Sequence, residues 1–217
     1  MHSPATLINV ATMYMGDMNA IVTLIMFAVY VTILSMLLKK VVSLSRKLVK
    51  SIAGSGIAFG MLSYALVVAP LNSIEAYFMD NRGLLHVIFV GPVQEEIAKF
   101  VCFLLAYIFI TRWSRLSSED LSKIIKGKSL VMLGAFVGLA LAMVENLIDY
   151  SNLTMEGTLK RTIVSWPLHM ITIGISAYGF NRYRITRQIG MVLGLLFGTI
   201  TIHVVFNTII VILAILT

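Results

Sequence analysis

The chain has 217 residues, 59% hydrophobic and 12% charged, with a mean hydropathy of +0.93 and a formal net charge of +7. That composition excludes a water-soluble globular domain and marks an integral membrane protein, for which the bilayer is the main solvent. The single cysteine, Cys102, excludes an intramolecular disulfide, and no low-complexity linker or fixed-period repeat divides the chain, so one domain over 1–217 is expected.

Apolar runs long enough to cross a hydrocarbon core of about 30 Å lie at roughly 19–38, 51–71, 84–110, 129–150, 162–180 and 189–214. They predict an all-α, polytopic membrane helix bundle of about six transmembrane helices. No basic residue precedes the first run, and Lys39 and Lys40 follow it in place of a small-residue cleavage site, which reads as an uncleaved span rather than a signal peptide.

The basic residues set an orientation. Lys39, Lys40, Arg46, Lys47 and Lys50 follow the first run; Arg112, Arg115, Lys123, Lys126 and Lys128 follow the third; Arg182, Arg184 and Arg187 follow the fifth. The alternate connections hold only Arg82, then Lys160 and Arg161. The positive-inside rule makes the basic loops cytoplasmic and both termini external, N-out and C-out. The net charge is therefore membrane topology, with anionic headgroups of the bilayer as its counterpart and no nucleic acid.

Small residues recur at helical spacing in two stripes: Gly134, Gly138, Ala142 and Asn146, then Gly190, Gly194 and Gly198. Both read as packing faces that bring helices close together in lipid, and the first leads to a polar cluster.

Charge inside an apolar run is costly and points to a site. The third run holds Glu95, Glu96 and Lys99. At about 100° per residue, Glu95 and Glu96 lie about 40° and 60° to either side of Lys99, so one ammonium can serve either carboxylate. A single Glu–Lys pair is best explained as packing. Two adjacent carboxyls leave one group that must hold or bind a proton, a candidate general base. Gly91-Pro92 just ahead permits a kink that leaves backbone groups free near the site.

Taken alone, Glu145-Asn146 is an interfacial pair wetted by headgroups, and a lone histidine such as His169 or His203 is more often structural than catalytic. Depth changes this weighing. Counting from the outer span ends at about 1.5 Å per residue, Glu145 and His169 fall roughly 8–12 Å below the boundary, and Glu95, Glu96 and His203 about 17 Å. Four helices thus place polar groups in one half of the bilayer.

These residues resemble a known family. Glu95-Glu96-Ile97-Ala98-Lys99 resembles the EExxK motif of PrsW-type membrane proteases, and Gly138 to Asn146 (GLALAMVEN) resembles their second motif, commonly GxGFAxxEN, with Ala140 and Leu141 in place of the second glycine and the phenylalanine. Arg161 eight residues before His169, and His203-Val-Val-Phe-Asn207, resemble the third and fourth. The motif-bearing core covers about 84–210. The family is similar to the CAAX prenyl endopeptidases and bacteriocin-processing enzymes, regarded together as glutamic intramembrane proteases. The resemblance implies a membrane-anchored protein substrate, such as an anti-sigma factor, cleaved at the cell membrane.

The expected chemistry is hydrolysis by water activated on a carboxylate of Glu95-Glu96, with Lys99 holding its partner ionised. His169 is then a second acid–base group, His203 and Asn207 stabilise the oxyanion, and Glu145-Asn146 orients a histidine. No metal or other cofactor is expected, because Lys99 competes with a divalent cation beside the carboxyls. One alternative has His169, His203 and a glutamate hold zinc without an HExxH helix. Another is a non-enzymatic proton-relay transporter or immunity protein, although no inverted repeat is visible.

Overall fold

The computed structural model describes residues 4–42, 44–70, 83–113, 116–124, 127–149 and 153–216, with side chains from residue 18 onward except that of residue 214. Arg82, Arg115 and Lys126 of the topology argument, and the expected span ends at 71 and 150, lie outside the described residues. The described α-helices are α1 (Pro4–Val42), α2 (Arg46–Ser63), α3 (Gly91–Arg112), α4 (Ser118–Ile124), α5 (Gly127–Ile148), α6 (Met155–Thr186) and α7 (Ile189–Leu216). Among the described residues there is no strand, and the protein is a polytopic helical bundle.

Five segments are long and apolar enough to cross a membrane: Met18–Val42, Arg46–Val68, Gly127–Ile148, Met155–Thr186 and Ile189–Leu213. The third of the six expected spans is also helical, as a π-helical turn His86–Val90 running into α3. Glu95, Glu96 and Lys99 in the first half of α3 separate it from the other five by composition. Two of those three side chains, Glu96 and Lys99, are fully buried, so protein rather than lipid surrounds them.

The bundle is organised around α5, in which every residue from Leu133 to Met143 is buried. Its glycine stripe is the reason. A Cβ at Gly134 would stand 2.9 Å from the Ile173 carbonyl oxygen, and one at Gly138 would collide with the His169 carbonyl, so α5 and α6 touch backbone to backbone. On another side of α5, a Cβ at Gly56 of α2 would overlap Phe136, and one at Gly60 the Val137 carbonyl. Small residues allow this approach, and packing contacts then hold the helices together where lipid offers no hydrophobic driving force between them. Trp166 of α6 closes the core against Phe27 and Tyr30 of α1, with ring centroids 6.5 and 5.6 Å away.

The second glycine stripe does not pack. A Cβ at Gly190, Gly194 or Gly198 meets nothing within 4 Å among the described residues, so the expected close helix approach is not seen there. The buried face of α7 includes Val192, Thr199 and His203 instead, and Leu195 meets Gly179 of α6. Spacing alone identifies a face that could pack closely, but a neighbour must also be present.

Gly138→Ala should therefore lower stability by about 1–3 kcal/mol, the usual cost of overpacking, whereas Gly194→Ala should leave it equal or higher through better helix propensity. Thermal unfolding of the two variants in detergent checks this, with equal effects contradicting the assignment of faces.

Candidate active site

Three helices meet at one buried carboxylate. Glu96 of α3 is fully buried, and its Oε1 atom accepts from Lys99 Nζ one turn along, from Thr172 Oγ1 of α6 at 3.0 Å and from His203 Nδ1 of α7 at 2.9 Å. Burying an ion pair costs several kcal/mol per charge, which is offset only when further hydrogen bonds complete the geometry. Here a hydroxyl and an imidazole from two other helices supply them. Of the two carboxylates that helical spacing places within reach of Lys99, the ammonium takes Glu96.

The donors fix the imidazoles. Lys99 Nζ lies 3.1 Å from His169 Nδ1, and an ammonium has only hydrogens to offer, so His169 accepts at Nδ1 and carries its proton on Nε2. That nitrogen faces Glu145 Oε2 of α5 at 3.5 Å. His203 donates its Nδ1 hydrogen to Glu96, which leaves the Nε2 lone pair pointing at Glu95 Oε2, 3.7 Å away. The two rings stand edge to face with centroids 5.2 Å apart.

Glu95 is placed differently from its neighbour. Its side chain is 20% exposed and lines a cleft of about 200 Å³ with Val68, His86, Gln94, Glu145, Asp149 and Asn207. Glu95 Oε2 has no hydrogen-bond partner among the described residues, yet it lies 3.7 Å from His203 Nε2 and 3.9 Å from His169 Nδ1. Acceptors facing one another across such a gap require a proton, a water or a cation between them. Glu95, His169 and His203 each present one ligand atom within 4.8 Å of the others, a set that could hold a metal ion.

Glu145 and Asn146 are held from behind. Arg161 of α6 donates from Nη2 to Glu145 Oε2 at 3.1 Å and from Nε to Asn146 Oδ1 at 2.8 Å. Asn146 Nδ2 in turn donates to Thr162 Oγ1 at 3.1 Å. The approach at Gly138 places His169 against α5, and two turns further along α5 Glu145 meets the edge of the same ring.

Asn207 has a separate task. In the π-helical turn His86–Val90 the amide of Gly91 bonds the carbonyl of His86, so the Val87 carbonyl would seek the amide of residue 92. Residue 92 is a proline with no N–H. Asn207 Nδ2 donates to that carbonyl at 2.9 Å, fastening α7 to the entrance of α3. One hydrogen of the amide is thereby engaged, at the wall of the cleft that Glu95 also lines.

Every expected site residue falls in this connected region. Sequence reasoning missed Thr172, Thr162, His86, Asp149 and Tyr64, whose hydroxyl donates to Asp149 Oδ1 at 2.7 Å at the cleft rim. Thr172 stands three residues beyond His169, on the same helix face, and that spacing was its only signal.

A family model described as PrsW family intramembrane metalloprotease matches residues 19–217. The chain belongs to that family and is a multi-pass membrane protease. The match reaches back over α1 and α2, well ahead of the 84–210 core that carries the motifs. No curated protein and no solved structure matches the chain.

Removing Arg161 would leave Glu145 buried beside an unanswered asparagine carbonyl. Arg161→Met should cost up to about 3–5 kcal/mol, the penalty for breaking a buried pair from one side, and adding Glu145→Gln should recover part of it. A double-mutant cycle in thermal unfolding measures the coupling, and strictly additive effects would count against the pair.

Proposed function

We propose that this membrane protease is an endopeptidase that hydrolyses a peptide bond of a membrane-anchored protein, with the reacting water held at Glu95. The observation that carries the reading is the unsatisfied Glu95 Oε2 atom, set between two imidazole nitrogens at the wall of a cleft. Glu95 takes one proton as the water oxygen attacks the scissile carbonyl carbon, and the carbon–nitrogen bond breaks as the leaving amine is protonated.

The hydrogen bonds argue for exchanging the two histidine roles expected from sequence. His203 has a free Nε2 and a carboxylate anchoring its Nδ1–H, so it can take up a proton at Nε2 while Glu96 stabilises the resulting imidazolium. His169, protonated at Nε2 and steadied by Lys99, is the donor left for developing negative charge. Six crossings, with α3 among them, would return both termini to one side of the cell membrane, the exterior by the distribution of loop cations. An anti-sigma factor is the substrate suggested by resemblance.

A second reading rests on the same three residues. Glu95, His169 and His203 are spaced to hold a metal, and the family description names a metalloprotease. The Glu96–His203 hydrogen bond matches the carboxylate–histidine arrangement that orients ligating imidazoles. A metal bound there would polarise water and the scissile carbonyl. His169 would have to turn from Lys99 or Glu145 to present a lone pair.

Glu95→Gln should reduce cleavage at least about 100-fold, the lower range for general-base catalysis, with thermal stability retained. Membrane-protein fragments seen by mass spectrometry with the wild type and absent with the variant provide the readout; equal fragments from both would sink the proposal. Cleavage that survives chelation selects the metal-free reading, whereas loss on chelation with recovery on adding zinc selects the second.

A further inference from the structure

A second cleft lies away from the active site, between α1 and α2. Its lining runs from Val31 and Met36 on α1 to Val49 and Ala53 on α2, encloses about 480 Å³ and ends at Lys39, Arg46 and Lys50. The Thr32 hydroxyl in the lining is already bonded to the Ala28 carbonyl at 2.8 Å, and Ser35 adds the lining's other hydroxyl, so the groove between its ends is mainly apolar. Its wet end is different. Lys39, Arg46 and Lys50 are exposed, and among the described residues none of the three forms an ion pair or side-chain hydrogen bond. The same end holds the N-terminus of α2, capped by Ser45, whose side chain accepts from the Leu48 amide. Free amides and the helix dipole there favour an anion.

We propose that this groove binds one phospholipid with an anionic headgroup. The headgroup sits among Lys39, Arg46 and Lys50, and an acyl chain lies between α1 and α2. The dimensions agree: from Lys39 to Val31 is eight residues, about 12 Å of helix rise, close to half of a hydrocarbon core of about 30 Å. The charge agrees as well. The lining includes three cations and no carboxylate, so a net-negative headgroup is drawn in where a zwitterionic one gains less. An acidic peptide would satisfy the cations but not the apolar trough, and a second copy of the chain would bring the same positive charge to the contact.

Native mass spectrometry of the full-length protein, delipidated and then exposed to phosphatidylglycerol or phosphatidylcholine, tests the site. Wild type should retain phosphatidylglycerol at least about tenfold more strongly. Combined Lys39→Gln, Arg46→Gln and Lys50→Gln should remove that preference, while a control with Lys128→Gln, Lys160→Gln and Arg182→Gln, equal in charge removed, should keep it. Ala53→Phe, which fills the trough and leaves the cations in place, should weaken retention of both lipids. Equal retention of the two lipids by wild type, or equal loss of the preference in triple variant and control, overturns the proposal. Dimers that vanish in the triple variant without any lipid preference would assign the groove to a second copy instead.

Discussion

A single carboxylate oxygen, Glu96 Oε1, holds the centre of this protein together. In a medium of low dielectric an isolated carboxylate would not remain charged, and an isolated ammonium would not either. Glu96 and Lys99 can both stay buried because each is bonded by groups from other helices: Thr172 and His203 on carboxylate oxygen Oε1, whose neighbour Oε2 has no hydrogen-bond partner among the described residues, and His169 on the ammonium. The interaction therefore links α3 to α6 and α7 and cannot be satisfied by one helix alone. It also sets the protonation pattern of both imidazoles, and through it the His203 Nε2 lone pair that faces Glu95.

The rest of the bundle delivers those groups to one place. Glycines 134 and 138 remove the side-chain layer between α5 and α6, so His169 and Glu145 reach each other across a backbone contact. Pro92 withholds an amide from the π-helical turn, and Asn207 answers the carbonyl left open, which ties α7 to the start of α3. Arg161 sits behind Glu145 and Asn146 and keeps their outer faces occupied. Adjacent residues 95 and 96 consequently have opposite fates. One is a buried anchor, and the other opens on a cleft where a water or a metal ion can be held.

Much of this was legible before any coordinates, for a physical reason. Charged and imidazole side chains are so costly in apolar runs that their positions mark the interior, and their shared depth predicted that α3, α5, α6 and α7 would meet. What was not legible depends on rotation and on backbone detail. Helical spacing allows Lys99 to reach either glutamate, and only the packing of α3 against α6 and α7 selects Glu96. The bond from Asn207 exists because a π-helical turn precedes a proline, a local geometry that sequence spacing does not announce. Thr172 looks like any threonine in a membrane helix, where hydroxyls usually return to their own backbone. The stripe at Gly190, Gly194 and Gly198 had the right spacing for close packing and lacks a neighbour among the described residues.

The most direct test of the central claim is a carbon–nitrogen distance by solid-state NMR in lipid bilayers, between labelled glutamate carboxyls and histidine ring nitrogens. With only four histidines in the chain, single substitutions assign the signals. The account predicts a strong dipolar coupling between the Glu96 carboxyl carbon and His203 Nδ1, as the 2.9 Å contact from carboxylate oxygen Oε1 to that nitrogen requires, with the hydrogen resident on that nitrogen. A His203 ring with no glutamate carboxyl within hydrogen-bond range would contradict it.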